Sequence, residues 1–182
     1  MLYPSMPLTT ERLQLRGFVG ADLAELAALL ADPQVMRYSV RGVMSRSASA
    51  EFLEHCRVSL AEEGFAPLAV IEQRSARLVG FCGLCKERFE EAEEVMLGYR
   101  LSPAFWNQGM ASEAVKVVLA HGFGTLAVSS VVAVVEPQNQ ASIQVLHKAG
   151  FQDYLHARYF GMGVRLYRMT RERWQALLIT AC

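Results

Sequence analysis

The sequence has few cysteines and prolines, no excess of either charge and no long hydrophobic run. Its 182 residues include four cysteines and six prolines, and 18 basic side chains balance 18 acidic ones. Zero net charge gives no overall attraction to nucleic acid or to an anionic membrane. No apolar run approaches the roughly 20 residues that span a bilayer. The amino-terminal residues lack the basic start and apolar block of a signal peptide, so we expect a cytoplasmic protein with reduced thiols.

Several motifs of metal and nucleotide sites are also missing. The four histidines show no H-E-x-x-H spacing. Cys82 and Cys85 form a C-x-x-C, but residues three apart on a strand point to opposite faces, so we expect neither a metal site nor a disulfide. Neither G-x-G-x-x-G nor G-x-x-x-x-G-K-[ST] occurs, which argues against a dinucleotide or P-loop nucleotide site.

The composition is that of a globular protein, with 52% hydrophobic and 20% charged residues. No repeat or Pro/Gly linker divides the chain, so we predict a single domain over residues 1–182. Apolar alternation predicts strands, and apolar spacing of three to four residues predicts helices. Strands are predicted at 12–16, 68–72, 78–86, 93–101, 130–135, 152–158 and 164–170. Helices are predicted after Asp22, at 47–62, from about 110 to 123, from Asn139 to Gly150 and around Trp174.

The order of these elements indicates the fold class. The first strands follow one another through short turns, which favours antiparallel pairing, and strand–helix–strand units come later. We therefore predict an α/β (α+β) fold with a single mixed, mostly antiparallel central sheet of six to seven strands, flanked by helices on both faces. Two local details are also predicted: Asp22 and Glu25 form a capping box, and residues 87–91 form a charged turn.

The segment after the predicted strand 93–101 carries the strongest functional signal. A short loop leads into a helix that begins at Gly109 or Met110. Because a helix start leaves N–H groups unpaired and carries partial positive charge, it suits a phosphate group. A second helix start, at Asn139, follows the next apolar strand. Two such starts at the carboxyl ends of neighbouring strands mark the edge of a sheet where ligands bind.

In these segments the chain resembles the GNAT superfamily of acetyltransferases, and most of all the branch of ribosomal-protein N-terminal acetyltransferases. Trp106-Asn-Gln-Gly-Met-Ala111 matches the last half of the family's pyrophosphate loop, and Ser112-Glu-Ala114 also resembles this branch. Similar runs are Thr10-Glu-Arg-Leu-x-Leu-Arg16, Leu97-Gly-Tyr-Arg-Leu-Ser-Pro103 and Asn139-x-x-Ser-x-x-x-Leu-x-Lys-x-Gly-Phe151. In this order, the motifs cover nearly the whole chain.

The resemblance implies an acetyl-CoA-dependent N-acetyltransferase without a metal, in which a primary amine attacks directly in a ternary complex. Pantetheine would hydrogen-bond to the backbone of residues 97–101, where the strands 93–101 and 130–135 splay apart. Gly98 within that strand is either a weak spot or a bulge that frees N–H groups. The implied acetyl-CoA-binding residues are Leu97, Gly98, Tyr99, Leu101, Trp106, Asn107, Gln108, Gly109, Met110, Ala111, Ser112, Asn139 and Ser142.

Two positions depart from the family pattern and direct attention to other residues. Trp106 stands where the consensus has Arg or Gln, which removes one phosphate donor. Leu146 stands where many members carry a tyrosine that protonates the leaving thiolate, and Ser142, one turn earlier, is the nearest substitute. Glu94 is the candidate base acting through water, with a solvated acidic turn as the alternative reading.

The sequence does not identify the acceptor amine. Arg37 and Tyr38 fall where this family often builds its acceptor pocket, and loop packing would explain them equally well. The acceptor amine belongs to a protein N-terminus or to a small molecule, and we expect no nucleic acid or membrane partner and a monomer or homodimer. A non-catalytic module that senses acyl-CoA is the alternative function, and an unrelated nucleotide-binding α/β protein is a further one.

Overall fold

Eight strands form one mixed sheet in the computed structural model, which describes residues 7–180. The predicted mixed, mostly antiparallel sheet flanked by helices is confirmed, with one strand more than the upper end of the predicted range. The additional strand is β1 (Leu8–Thr9), two residues that pair with β2 (Leu13–Arg16). Residues 1–6 and 181–182, which the single-domain prediction includes, lie outside the described residues.

The remaining elements follow the predicted order. The other strands are β3 (Pro67–Glu72), β4 (Arg77–Phe89), β5 (Ala92–Leu101), β6 (Ser130–Val135), β7 (Tyr154–Tyr159) and β8 (Met162–Thr170). The α-helices are α1 (Leu23–Ala31), α2 (Arg46–Glu63), α3 (Met110–Ala120), α4 (Gln140–Ala149) and α5 (Arg171–Thr180). Short 3-10 turns cover Gly20–Asp22 and Pro103–Phe105, and a π turn at His121–Thr125 extends α3.

The spatial order of the strands is β1-β2-β3-β4-β5-β6-β8-β7. Neighbours in the described sheet pair antiparallel except β5 and β6, which pair parallel because α3 crosses between them. This one parallel junction lies near the middle of the sheet, so α3 begins beside the carboxyl end of β5. Open α/β sheets bind ligands at such junctions.

Two hydrophobic clusters cover the two faces of the sheet. On one face, α1 and α2 pack on β3 and β4, with Leu26, Leu30 and Phe81 in the buried cluster. On the other face, α3 and α4 pack on the central strands, with Val115 and Leu146 in the larger cluster. Helices therefore cover both faces of the sheet, and apolar side chains of the strands are buried against them on each face.

Local capping signals explain where two helices begin and end. The Ser45 hydroxyl accepts the Ala48 N–H at 3.1 Å, and Gly64 ends α2 with a left-handed φ of 82°. The Asn139 side chain accepts the Ser142 N–H at 3.1 Å at the start of α4. These are interactions between near neighbours, so the sequence was sufficient to predict them.

The predicted capping box is wrong because other residues bind both of its carboxylates, and the predicted charged turn is longer than the one observed. The Asp22 carboxylate accepts the Val19 N–H at 2.9 Å and pairs with Arg16, so it does not cap α1. Glu25 accepts the Leu78 N–H at 3.1 Å instead of completing a capping box. The predicted charged turn at 87–91 is shorter than expected, because β4 continues to Phe89 in register with β5.

The α-helices among residues 7–180 are α1 to α5. None of them combines the length and the apolar character that crossing a membrane requires. The longest, α2, carries charged side chains along its length and packs one stripe on the sheet.

Candidate active site

A gap opens in the sheet between β5 and β6. The two strands are paired at one position, Met96 with Val132, whereas β5 is paired with β4 along its whole length. Beyond Met96 the edge of β5 that faces β6 has no strand partner, as the sequence-based interpretation expected. Its free backbone groups can hydrogen-bond an extended ligand in the way an added strand would.

Gly98 lies in the middle of this open edge. It pairs with Gly83 of β4 without a register shift, so the bulge that one sequence-based alternative placed at Gly98 is absent. Its φ is not positive, and no atom lies within 4 Å of the position that a Cβ would take. Glycine at this position therefore leaves open space in the gap, and no unusual backbone conformation requires a glycine here.

A cavity of about 330 Å³ lies at the gap, within the size range of small-molecule sites. It receives Leu97, Gly98 and Tyr99 from β5 and contacts both faces of the sheet. Of the remaining predicted site residues, Tyr38, Asn139 and Ser142 also line it. The structure thus brings the β5 segment and the start of α4 together around one space.

Tyr99 and Ser142 form a pair of hydroxyl groups in this cavity. The Tyr99 hydroxyl lies 2.8 Å from Ser142 Oγ and donates to the Ser142 carbonyl at 3.1 Å. Burial raises the pKa of Tyr99, and the hydrogen bond with Ser142 offsets this only partly, so the phenol keeps its proton at neutral pH. The sequence-based interpretation assigned Tyr99 to cofactor binding through its backbone and missed this role of its side chain.

The residues from Trp106 to Ser112 form the turn and first helical residues that follow β5. Asn107 and Gly109 adopt left-handed φ values of 59° and 78° on either side of Gln108. The first rung of α3 joins the Glu113 N–H to the Gly109 carbonyl at 3.0 Å, so the N–H groups of the residues between them lack helical acceptors. Alternating backbone handedness followed by free N–H groups forms an anion-binding concavity. This loop lies outside the cavity lining.

An ion pair fastens this loop to the amino-terminal strand. Arg12 Nη2 lies 2.6 Å from Glu113 Oε2, and Arg12 Nη1 donates to the Gln108 carbonyl at 2.8 Å. Thr10 donates to Glu113 at 2.5 Å. Burial acts to raise the pKa of Glu113, but the hydrogen bonds from Thr10 and Arg12 outweigh it and leave this pKa lowered. No local pattern signals this contact, because about a hundred residues of sequence separate its partners.

Trp106 uses its side-chain donor within the protein. Its indole N–H donates to the Leu101 carbonyl at 2.8 Å, which fixes the loop to the end of β5. About 40% of the side chain is exposed. The predicted loss of a phosphate donor at this position therefore fits the structure, because the indole N–H points to β5.

Glu94, the candidate base, forms a two-point ion pair with Arg168. The Glu94 carboxylate accepts from Arg168 at 2.6 and 3.0 Å, and Arg168 also donates to Ser130 Oγ. The hydrogen bond from Arg168 lowers the pKa of Glu94 despite the opposing effect of burial. Glu94 does not line the cavity. The geometry therefore favours a role in which Glu94 joins β5 to β8.

The structure separates the two residues predicted for the acceptor pocket. Tyr38 lines the cavity, and its hydroxyl lies 3.4 Å from the Gln138 carbonyl in the loop before α4. The Arg37 guanidinium lies 5.3 Å from the centre of the Tyr38 ring and is exposed, away from the cavity. Arg37 therefore supports Tyr38 rather than facing the cavity itself.

The cysteines contribute buried thiols. Cys56, Cys82 and Cys85 are free, and burial raises the pKa of Cys56 and of Cys85 to about 12. Such thiols are poor nucleophiles at neutral pH. Within residues 7–180 no group of three or more histidine, cysteine or acidic side chains is arranged to hold a metal ion.

Comparisons with known proteins agree with this architecture. The family model described as "Acetyltransferase (GNAT) domain" matches residues 12–152. The N-acetyltransferase p20 of Bacillus licheniformis is 32% identical over 146 residues, which cover 80% of this chain and 82% of p20. The chain therefore belongs to the GNAT acetyltransferase family.

Solved structures show the same fold. An acetyltransferase of the GNAT family from Bacillus anthracis superposes with a TM-score of 0.78 at 25% identity, covering 92% of this chain and 99% of that one. The ribosomal L7/L12 α-N-protein acetyltransferase RimL, solved in complex with coenzyme A, gives a TM-score of 0.73 at 19% identity. The match covers 90% of this chain and 97% of RimL. The resemblance to the ribosomal-protein acetyltransferases is thus confirmed at the level of the fold.

Proposed function

We propose that this protein transfers an acetyl group from acetyl-CoA to a primary amine. The observation that carries the proposal is the open edge of β5, from Leu97 to Leu101, which ends beside the start of α3. Pantetheine would hydrogen-bond to this edge, and the N–H groups at the start of α3 would hold the pyrophosphate. Membership of the GNAT family supports acetyl-CoA as the donor.

The charges around the start of α3 fit a phosphate group. Glu113 is an anion near this helix start, but Arg12 and Thr10 already hydrogen-bond its carboxylate. Arg12 Nη2 also lies 3.6 Å from the position that a Cβ on Gly109 would take, so its positive charge is next to the loop. Arg12 supplies in this way the positive charge that Trp106 does not provide.

The residues of the cavity account for the proton that the reaction must move. Acetyl-CoA supplies the activated acetyl group, a C–N bond forms at its carbonyl carbon, and the C–S bond breaks. Ser142 Oγ, 2.8 Å from the Tyr99 hydroxyl, donates a proton to the departing sulfur. The proton that the attacking nitrogen releases returns through water to the Ser142–Tyr99 pair and restores both hydroxyl groups. Because a free thiol has a pKa of about 8.5, the departing thiolate needs only modest help.

The acceptor amine must lose a proton, and the structure favours amines that lose it easily. Glu94 would act as a base only through water, and its ion pair with Arg168 argues against that assignment. An α-amine with a pKa of about 7.7–8.0 is partly neutral at physiological pH, whereas a lysine at about 10.4 is not. The proposal therefore favours α-amines over lysine side chains.

Calorimetric titration with acetyl-CoA, and with ATP and NAD as controls, tests the proposal first. We expect micromolar binding of acetyl-CoA and no heat from the controls. A panel of α-amines is then assayed by release of free thiol from acetyl-CoA. Absence of acetyl-CoA binding in folded protein would refute the proposal, and tight binding without thiol release for any amine would favour the non-catalytic sensor. The cytoplasmic location and the monomeric or homodimeric state stay predictions.

A further inference from the structure

Arg100 is a partly buried cation that lines the cavity from β5. Its register partner on β4 is Phe81, which belongs to the cluster under α1 and α2. Because alternate residues of a strand share a face, Arg100 lies on the same side of the sheet as Gly98 and Met96. All three residues line the cavity. The Cα atoms of Gly98 and Arg100 are roughly 7 Å apart at the rise of a strand, so the guanidinium belongs to the central part of the site.

The contacts of Arg100 leave most of its guanidinium without a partner. Nη1 donates to the Val35 carbonyl at 3.3 Å, a long hydrogen bond. Among residues 7–180, no carboxylate lies within 4.0 Å of this guanidinium. Burial lowers the pKa of Arg100, and no neighbouring anion counteracts it. A guanidinium has five N–H donors and remains charged in proteins, so the protein itself leaves this group poorly satisfied.

Three other arginines of the chain have guanidinium groups that are paired with a carboxylate. Arg12, Arg16 and Arg168 each contact a carboxylate at 2.6–2.8 Å. All three are near the surface, where an unpaired charge would be less costly than it is for Arg100. Arg100 has no such partner among the described residues, although burial lowers its pKa and a counter-ion would stabilise its charge.

The charges that line the cavity do not compensate for Arg100. Lys86 lies within 3.7–4.0 Å of Glu63 and Glu93, so its charge is partly balanced. Glu87 of β4 lies opposite Glu94 of β5 in the strand register. The Cα atoms of Glu94 and Arg100 are roughly 20 Å apart along β5, so the backbone of Glu87 is far from that of Arg100. Glu136 and Arg41 also line the cavity, and neither has an ion-pair partner within 4.0 Å among the described residues. No carboxylate of the described cavity lining therefore lies within 4.0 Å of the Arg100 guanidinium to balance its charge.

We infer that Arg100 binds a carboxylate of the acceptor, and this inference rests on the proposed function. The acceptor class is then a primary amine that carries a carboxylate a few bonds away. A free α-amino acid has this chemistry, and so does a peptide whose first residue is acidic. The planar fork of the guanidinium matches a carboxylate in a two-point geometry, which would also orient the amine for attack.

The inference is tested with pairs of acceptors that differ in the presence of one carboxylate. Alanine is compared with alaninamide, and peptides that begin with Asp or Glu are compared with those that begin with Asn or Gln. Thiol release is followed with saturating acetyl-CoA, and rates are expressed per concentration of neutral amine, because a carboxylate raises the pKa of a nearby amine. We expect the carboxylate-bearing member of one pair to have a KM lower by about 30-fold or more, and the pair that shows it identifies the source of the carboxylate.

Substitution of Arg100 shows whether the preference depends on this residue. Arg100→Gln should abolish the preference while leaving the Kd for acetyl-CoA within about threefold, and Arg100→Lys should restore part of it. Arg88→Gln is the matched control, because Arg88 is an exposed arginine of the neighbouring strand that does not line the cavity. It should leave the preference unchanged.

Three results would overturn the inference. Equal KM values within both acceptor pairs would show that no carboxylate is recognised, although thiol release would still support acetyl transfer. A weaker Kd for acetyl-CoA in Arg100→Gln, with every acceptor affected equally, would assign Arg100 to the cofactor. Loss of folding in Arg100→Gln and also in Arg100→Met would show a structural role, whereas we expect Arg100→Met to melt at the same temperature as the wild type or higher. Thiol release from no amine at all would refute the proposed function itself.

Discussion

The phenol of Tyr99 occupies the part of the cavity where Leu146 cannot supply a hydroxyl. Both residues line the cavity, but Tyr99 reaches it from β5 and bonds to Ser142 on α4. In the family pattern, many members carry a tyrosine at the position of Leu146 on this helix. In this protein a tyrosine of the facing strand and a serine of the helix together present two hydrogen-bonded hydroxyl groups to the same space.

Substitution of this hydroxyl pair should slow turnover without weakening acetyl-CoA binding. We expect Ser142→Ala and Tyr99→Phe each to lower kcat by about ten- to a hundredfold, because proton donation to a moderately stable thiolate is helpful but not essential. The double variant should be no slower than the slower single variant, since the two groups act in series. Steady-state kinetics and calorimetry measure both effects. A fully active Ser142→Ala variant would reduce Ser142 to a residue of the helix start.

Glu94 should affect stability and leave the pH dependence of turnover unchanged. Its folded-state pKa is lowered from the ordinary 4.5 by Arg168, so its contribution to stability is present above that pH and is lost as the pH falls through the lowered value. Glu94→Gln should therefore reduce Tm at pH 7, and the difference from the wild type should shrink below pH 4.5.

Thermal melts and rate profiles across pH separate the two roles of Glu94. Glu91→Gln is the control, because Glu91 is an exposed residue of the β4–β5 turn that forms no ion pair among the described residues. A rate profile that loses its acid limb in Glu94→Gln alone would restore Glu94 as the base.

At the scale of single elements, the open edge of β5 depends on the missing side chain of Gly98. Apart from the two chain neighbours, the Cβ of a valine at this position would meet no atom of the described residues within 4 Å. Valine also needs no unusual φ here, so we expect folding stability to change by only about 0.5 kcal/mol. The valine would occupy the gap, and we expect kcat/KM to fall by about a hundredfold because the reacting groups are displaced.

The opposite strand offers a control for this substitution. At Gly83 a Cβ would lie 2.2 Å from the Ala66 carbonyl oxygen, so Gly83→Ala should cost about 1–3 kcal/mol through overpacking. Thermal melts and kinetics of both variants should therefore diverge, with activity lost in one and stability in the other. Normal activity in a folded Gly98→Val protein would place the reaction elsewhere.

The start of α3 is the second element whose function can be isolated. Gly109→Asp places a carboxylate where the pyrophosphate is proposed to bind, and we expect acetyl-CoA affinity to fall by about a hundredfold or more through repulsion. Gly109→Asn is the control, because asparagine has the same shape without the charge and tolerates the left-handed φ of 78°. Similar affinities for the two variants in calorimetry would remove the loop from the cofactor site.

Element bounds followed from local patterns to within a few residues, except where tertiary contacts intervened. The cap at Asn139 and the left-handed Gly150 define α4 from neighbouring residues alone. The capping box at Asp22 failed because Arg16 and Val19 bind the same carboxylate. The two-residue strand β1 is too short to show alternation, and it is visible only because β2 pairs with it.

At the scale of the whole molecule, ligand binding should be visible as thermal stabilisation. Acetyl-CoA at about 100 times its Kd should add about 2.7 kcal/mol to the free energy of unfolding, which corresponds to a rise in Tm of roughly 5–10 °C for a domain of this size. Thermal melts with acetyl-CoA, and with ATP at the same concentration, measure the difference. An equal shift with ATP would mean that the protein recognises phosphate and not the pantetheine portion.

The fold class and the family were accessible from the sequence by itself, and so were the segments that form the proposed cofactor site. Periodicity and caps act between near neighbours, and the motifs from Gly98 to Glu113 and from Asn139 to Phe151 keep the order that the family uses. Asn139 and Ser142 were predicted from these motifs, and Tyr38 from its position after the first helix. The structure places all three around one cavity.

Only the tertiary structure decided which side chains meet. Arg12 pairs with Glu113, Tyr99 bonds to Ser142, and Arg168 pairs with Glu94, although none of these partners is close in sequence. Each pairing depends on strand register and on the face to which a residue points. A register shift of one residue would turn these side chains to the opposite face and break the pairings. For the same reason the sequence could not show that Arg100 lies partly buried beside the cavity, with no carboxylate of the described chain within 4.0 Å.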